Sequence, residues 1–165
     1  VLRIPDRTAL PQTLRKELYL ALDSVRDPGN LGTIIRIADW FGVRTVFASA
    51  DCVDLYNPKV VQASMGSVFR VKVLSAGLTD VCRRFRDAGM EVYGTVLDGV
   101  DIYKESIVPE GLVVMGNESV GISPQVRELL TGRLLIPSFG GSGAESLNVA
   151  IATAVTLSEF RRRQL

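Results

Sequence analysis

Short apolar runs that read as strands alternate along this chain with segments of helical periodicity, and this alternation limits the possible folds most. The strand-like runs lie at 18–25, 45–50, 68–74, 91–97, 111–115 and 133–136. Between them, 30–41, 58–65, 78–88 and 123–130 carry helical spacing, and a last helix opens at Ser146. Strands joined through helices pair in parallel, because a parallel pair needs a long crossover. The expectation is an α/β fold: a mostly parallel six-stranded sheet with helices on both faces. The most apolar run, 111–115, belongs at its centre, where both faces are covered. A length of 165 residues suits one domain with a sizeable core.

Composition removes several kinds of chemistry. The chain has no histidine. Ser-His-Asp triads, imidazole metal sites and the commonest general base are thereby excluded. Cys52 and Cys82 stand alone without metal-type or redox spacing, so no metal is expected and a reduced, cytoplasmic setting is. No apolar run reaches the roughly 20 residues that span a bilayer, and no signal-peptide pattern is visible. The net charge of +1 hides basic clusters at Arg3, Arg7, Arg15 and Lys16, at Arg83, Arg84 and Arg86, and at Arg161 to Arg163. The last two clusters read as solvated helix faces. The first, in segment 1–17, reads equally as a solvated face or as a phosphate-binding arm.

Polar residues and glycines gather at three strand-to-helix junctions, where α/β proteins bind ligands. In the first, Asn30 sits where its amide caps a helix, Gly32 lets a backbone or ligand approach, and Arg36 stands between Ile35 and Ile37. Periodicity by itself favours an Arg36 that snorkels or meets a structural carboxylate. In the second, Gly116 and Gly121 frame Asn117 and Glu118. This is neither a dinucleotide fingerprint nor a Walker loop. In the third, a glycine-rich loop follows Ile136-Pro137-Ser138 and leads to Ser146-Leu147-Asn148. Ser146 is the expected N-cap, which leaves Asn148 unexplained inside an apolar helix. That helix is so apolar that two readings stand: it lies deep against the sheet, or a second subunit covers part of it.

In this order, the segments resemble the SpoU (TrmH-type) family of RNA ribose 2′-O-methyltransferases, in the SPOUT superfamily. The motif N-x-G-x-x-x-R-x-A matches Asn30, Gly32, Arg36 and Ala38; G-x-E-x-x-G matches Gly116, Glu118 and Gly121. I-P followed by S-L-N-V matches Ile136, Pro137 and Ser146 to Val149, and Ser64 to Ser67 resembles the family's S-x-G segment. The resemblance covers nearly the whole chain. It implies a C-terminal deep trefoil knot and a homodimer with its active site near the subunit interface. It also implies S-adenosylmethionine held by Gly116, Ile136 and Leu147, with Thr95, Leu97, Asn117, Gly121 and Ser138 beside them. Arg36 would activate the ribose hydroxyl as a phosphate clamp and electrostatic stabiliser, because arginine stays protonated. Asn30, Glu118, Ser146 and Asn148 would orient it, the ribose or the cofactor.

The implied function is S-adenosylmethionine-dependent methylation of a ribose 2′-OH in structured RNA, rRNA or tRNA, with rRNA slightly favoured. Residues 1–165 would form the catalytic domain, without the RNA-binding domain that many rRNA-directed members carry ahead of it. The loop at 138–145 is longer than the common family pattern, and Ser138 stands where many members have Met. Three alternatives remain: a knotted RNA- or cofactor-binding protein without catalysis, a base-methylating SPOUT enzyme, and a flavodoxin-like nucleotide binder.

Overall fold

The computed structural model describes residues 7, 8, 10–140 and 146–165. Its first half runs β1 (Leu18–Leu22), α1 (Pro28–Trp40), β2 (Thr45–Ala48), α2 (Pro58–Ser64), a 3-10 turn (Ser67–Phe69), β3 (Lys72–Ser75) and α3 (Leu78–Asp87). The second half runs β4 (Val92–Asp101), β5 (Gly111–Met115), α4 (Pro124–Arg127), β6 (Gly132–Leu135) and α5 (Val149–Arg162). The six strands form one sheet in the order β3-β2-β1-β5-β4-β6, with every pairing parallel. β1 and β5 are the central pair, as the apolar run at 111–115 predicts.

Alternate residues of β1 point to opposite faces and so define two cores. Leu18, Leu20 and Leu22 pack with Ile34, Ile35 and Ala38 of α1 and with Leu157 and Phe160 of α5. Tyr19 and Ala21 pack with Val81, Cys82 and Phe85 of α3 and Val126 of α4. Both faces are therefore covered by helices. Truncating a fully buried side chain such as Leu20 to alanine costs about 2–5 kcal/mol.

Several boundaries differ from the sequence reading, for local reasons. α1 starts earlier than Asn30, because Asp27 is its N-cap and accepts the Asn30 N–H at 2.7 Å. Pro28 in the first turn lacks an N–H that this end of the helix could not pair. Gly32 serves a backbone: a Cβ there would lie 2.6 Å from the Val60 carbonyl oxygen and the Ala63 Cβ of α2. The alternation at 68–74 is part turn. Met65 and Gly66 take left-handed backbone, the 3-10 turn follows, and Ser67 and Arg70 both donate to Asp39.

β4 runs through Asp98-Gly99 instead of turning there. Both Thr95 and Val100 face Leu134 of β6, so the residues between them leave the ladder as an irregularity. A Cβ at Gly99 would sit 2.6 Å from the Leu134 backbone. α4 closes at Arg127, short of the expected Leu130, and Ser123 holds the cap position without a side-chain bond. α5 begins at Val149, because Asn148, not Ser146, caps it. α5 buries one face, including Thr153 and Thr156, whose hydroxyls donate back to Val149 and Ala152 carbonyls. Glu159 is buried there too, paired with Arg162 and Arg163 at 2.7 Å.

Candidate active site at the centre of the sheet

The chain leaves the carboxyl ends of β1 and β5 in opposite directions. From β1 it passes through α1 to β2 on one side; from β5 it passes through α4 to β6 on the other. The two helices cover opposite faces of the sheet. A crevice opens where such connections diverge, and in parallel sheets that is the usual ligand position.

Polar contacts tie the crevice floor together. Asp23, which ends the apolar run of β1, is buried and accepts the Ser123 N–H at 2.8 Å. Asn117 donates to the Ser24 carbonyl at 2.8 Å, and its side-chain oxygen accepts the N–H groups of Ser119 and Val120. Gly116 is required because the loop folds back on itself: a Cβ there would lie 2.3 Å from the Gly121 carbonyl carbon. Gly121 has φ of 73°, in the left-handed region. Ser24 also has positive φ, at 61°. It is held by its N–H to Ser49 Oγ and by its hydroxyl to Asp51. Donation from Ser24 and then Ser49 keeps the Asp51 carboxyl low, at about 2.

Above this floor one hydrogen-bonded chain joins the three junctions. Asn148 Oδ1 accepts the N–H groups of Ala150 and Ile151 at the start of α5, at 2.9 and 3.3 Å. That contact sets the amide's orientation, so its Nδ2 points away and donates to Asn30 Oδ1 at 2.9 Å. Asn30 Nδ2 in turn donates to Glu118 Oε1 at 2.8 Å. Each amide has one possible orientation, dictated from the helix end. The last bond is charge-assisted and is the strongest of the series. Asn148, which periodicity alone left unexplained, therefore has two structural roles: helix cap and link.

Arg36 does not join this chain. It lies exposed on α1 and makes no hydrogen bond or ion pair among the described residues. Of the two structural readings that periodicity favours, the carboxylate partner is absent among them, and the exposed side chain agrees with the other, a guanidinium that reaches solvent. Ser146 is exposed, makes no hydrogen bond among the described residues and lacks its expected capping role.

The expected cofactor residues lie in three places: the β5 loop, β4 with the segment after β6, and the start of α5. Gly116, Asn117 and Gly121 shape the β5 loop, with both heteroatoms of the Asn117 side chain engaged internally. Thr95, Leu97, Ile136 and Ser138 cluster along β4 and the end of β6. Thr95 Oγ1 approaches Met115 Sδ at 3.5 Å, Leu97 is 72% exposed in the β4 irregularity, and Ile136 packs partly against the core. Ser138 is exposed, with a long contact to the Gly140 carbonyl at 3.4 Å. Leu147 is half exposed, one residue before the Asn148 cap. Loop residues 141–145, and Arg3 of the first basic cluster, lie outside the described residues.

Sequence reasoning missed Asp23, Asp27, Ser49 and Asp51. For Asp27 the signal was available, since Asp immediately before Pro reads as a cap followed by the first helical residue. For the other three only three-dimensional proximity carries the information.

A model described as the SpoU rRNA Methylase family matches residues 17–158. The chain is 36% identical over 150 residues to the 23S rRNA (guanosine(2553)-2′-O)-methyltransferase RlmP of Bacillus subtilis, covering 90% of this chain and 59% of that protein. Its fold is similar to that of a Porphyromonas gingivalis protein assigned to the TrmH family of RNA methyltransferases. There the TM-score is 0.85 with 48% identity, over 94% of this chain and 63% of the other. It is also similar to an AdoMet-bound rRNA methyltransferase from Sinorhizobium meliloti, with a TM-score of 0.81 and 40% identity over 90% of this chain and 57% of the other. The chain thus spans under two thirds of the length of each of these relatives. A match over most of its length, with the three motif segments meeting at one crevice, shows that the chain belongs to the SpoU rRNA methylase family.

Proposed function

We propose that this chain is the catalytic domain of an enzyme that moves a methyl group from S-adenosylmethionine to a ribose 2′-OH of structured RNA, with rRNA preferred over tRNA. The observation that carries this reading is the Asn148–Asn30–Glu118 chain, which assembles residues distant in sequence into one oriented polar surface at the switch point. A binding module has no need of amides locked in a single orientation, on a helix that also carries an arginine without a partner among the described residues. The rRNA preference rests on the family and on relatives described as rRNA methyltransferases.

The residues present fit the cofactor. The β4 irregularity takes residues 96–99 out of the sheet ladder beside Leu134, and Leu97, Ile136 and Leu147 are partly or largely exposed apolar groups. Backbone polar groups next to apolar side chains suit an adenosine. When bound, the sulfonium supplies the activated methyl group. The protein then has to align the ribose oxygen and stabilise the charge that develops as its proton leaves. Arg36 supplies that positive charge and holds the flanking phosphate. Glu118, Asn30 and Asn148 hold the crevice in register, and Ser146 offers a hydroxyl to the ribose.

The same reading includes a trefoil knot in the C-terminal third. Its support is that β6 lies outside β4 while Asn148, a short stretch later, bonds to Asn30 near the sheet centre. It includes a homodimer, supported by exposed Trp40, Met65 and Phe69 around one end of α1 and by exposed Ile151 on α5. It also includes a cytoplasmic, metal-free enzyme whose catalytic domain spans 1–165. The test is methyl transfer from tritiated S-adenosylmethionine to transcribed 23S rRNA and to tRNA, with mapping of 2′-O-methyl positions. Transfer to a ribose of rRNA is expected; calorimetric binding of the cofactor with no transfer to either RNA would overturn the reading.

A further inference from the structure

A second concavity opens on the same edge of the sheet, at the carboxyl ends of β2 and β3. It has a volume of about 290 Å³, and its lining includes apolar Leu31, Leu55 and Val73 and polar Arg7, Asp54 and Tyr56. Ser49, whose Oγ accepts the Ser24 N–H in the crevice floor, also lines the cleft, so the two lie side by side. Arg7 is built into its wall rather than hanging over it. The Arg7 carbonyl accepts the Ser75 N–H at 3.0 Å, Nη2 donates to Tyr56 Oη at 2.6 Å, and the guanidinium lies 4.3 Å from the Tyr56 ring centre. Its Nη1 is buried and has no hydrogen-bond partner among the described residues. A buried donor left unpaired is destabilising, so an acceptor brought by a ligand would be favoured there.

We infer that this cleft is a nucleobase subsite, which takes an unpaired base of the RNA substrate next to the methylated ribose; the inference rests on the RNA-directed function proposed above. The cleft has room for a base. Its walls combine apolar side chains for the ring faces with a guanidinium donor and a carboxylate acceptor for the edges. Asp54 accepts the Tyr56 N–H through Oδ1 and keeps Oδ2 without a partner among the described residues. A carboxylate in the lining disfavours a bare phosphate, whereas a neutral heterocycle with an acceptor edge and a donor edge satisfies both Arg7 and Asp54. Single-stranded RNA is recognised in this way, through splayed bases held by aromatic and arginine planes and by their edges.

The test uses fluorescence anisotropy with labelled single-stranded RNA decamers of mixed sequence and with an abasic ribose-phosphate decamer. The proteins are the unaltered chain, Arg7→Gln, and Ala50→Trp, which places a large ring at the exposed mouth of the cleft. Base-bearing decamers should bind about tenfold more tightly than the abasic one, and both variants should remove that difference. Equal binding of abasic and base-bearing decamers would identify a phosphate site and overturn the inference. So would variants that bind like the parent, or no decamer binding at all. Calorimetry with S-adenosylmethionine on the same proteins is read separately. If cofactor binding fails everywhere, the methyltransferase reading falls; if it persists while base-dependent binding is absent, only the subsite falls.

Discussion

Two stretches of the same helix behave differently. In the first turn of α1, Asn30 has each side-chain heteroatom paired, one to Glu118 and one to Asn148. Further along, Arg36 is exposed and without a partner among the described residues. Both belong to one motif. The first turn is finished before any ligand arrives, which lowers the cost of orienting groups during reaction. The middle of the helix presents a charge that faces solvent, which the proposed function assigns to the RNA. Preorganisation and unsatisfied charge are thus placed side by side, and they fail differently when mutated.

The largest effect should come from the unpaired side. Arg36→Ala is expected to lower methyl transfer by about 100- to 1,000-fold while leaving thermal stability and calorimetric cofactor binding unchanged. A melting temperature that drops along with activity would show that Arg36 has a structural partner after all, and the contrast would collapse. Next comes the loop under the paired side. Gly116→Ala forces a Cβ to within 2.3 Å of the Gly121 backbone, and overpacking of this kind costs about 1–3 kcal/mol. Urea denaturation should show that loss, and a midpoint equal to that of the parent would mean the loop is looser than its geometry.

Asn148 separates the two functions of the paired side. Asn148→Ala removes a cap and a link and should destabilise by about 1–2 kcal/mol. Asn148→Asp keeps the capping oxygen at the positive end of α5 but replaces the donor to Asn30 with an acceptor. Its stability should stay near that of the parent while transfer falls, because the Asn30 amide loses its fixed orientation against Glu118. If Asn148→Asp transfers methyl groups at the parent rate, the hydrogen-bonded chain is a cap and nothing more.

The smallest effect is a titration beneath the site. Asp51, bonded first to Ser24 and then to Ser49, is held at about 2, below the ordinary value of 3.8. A carboxyl lowered on folding contributes stability above its unfolded value, and that contribution is lost as pH falls through the folded value. Between about pH 4 and pH 2 the parent should therefore lose stability more steeply than Asp51→Asn. Parallel acid-unfolding curves for the two proteins would show that the Ser24 strap does not depend on this carboxylate.

Much of the sheet was legible in the chain because burial on both faces leaves a plain record. The run 111–115 is apolar throughout and central, and β1 reads the same way. Legibility fails where one signal has two structural causes. Asp98-Gly99 has turn composition, but the glycine is there for close approach to β6. Gly32 reads as an approach for either a backbone or a ligand, and only the packing of α2 selects the backbone. Ser146 and Asn148 are both good caps two residues apart, and only the position of Asn30 favours the second.

The alternating architecture, the lack of imidazole chemistry in this chain and the three polar segments follow from residue type and short spacing alone. Which of those residues meet depends on the folded chain. Glu118, Asn30 and Asn148 share one chain of hydrogen bonds because the order of strands brings the ends of β1 and β5 together and returns α5 to α1. The fold also leaves Arg36 outside those bonds. A hydrogen bond depends on distances of about 3 Å between groups far apart in sequence, and no local propensity encodes them.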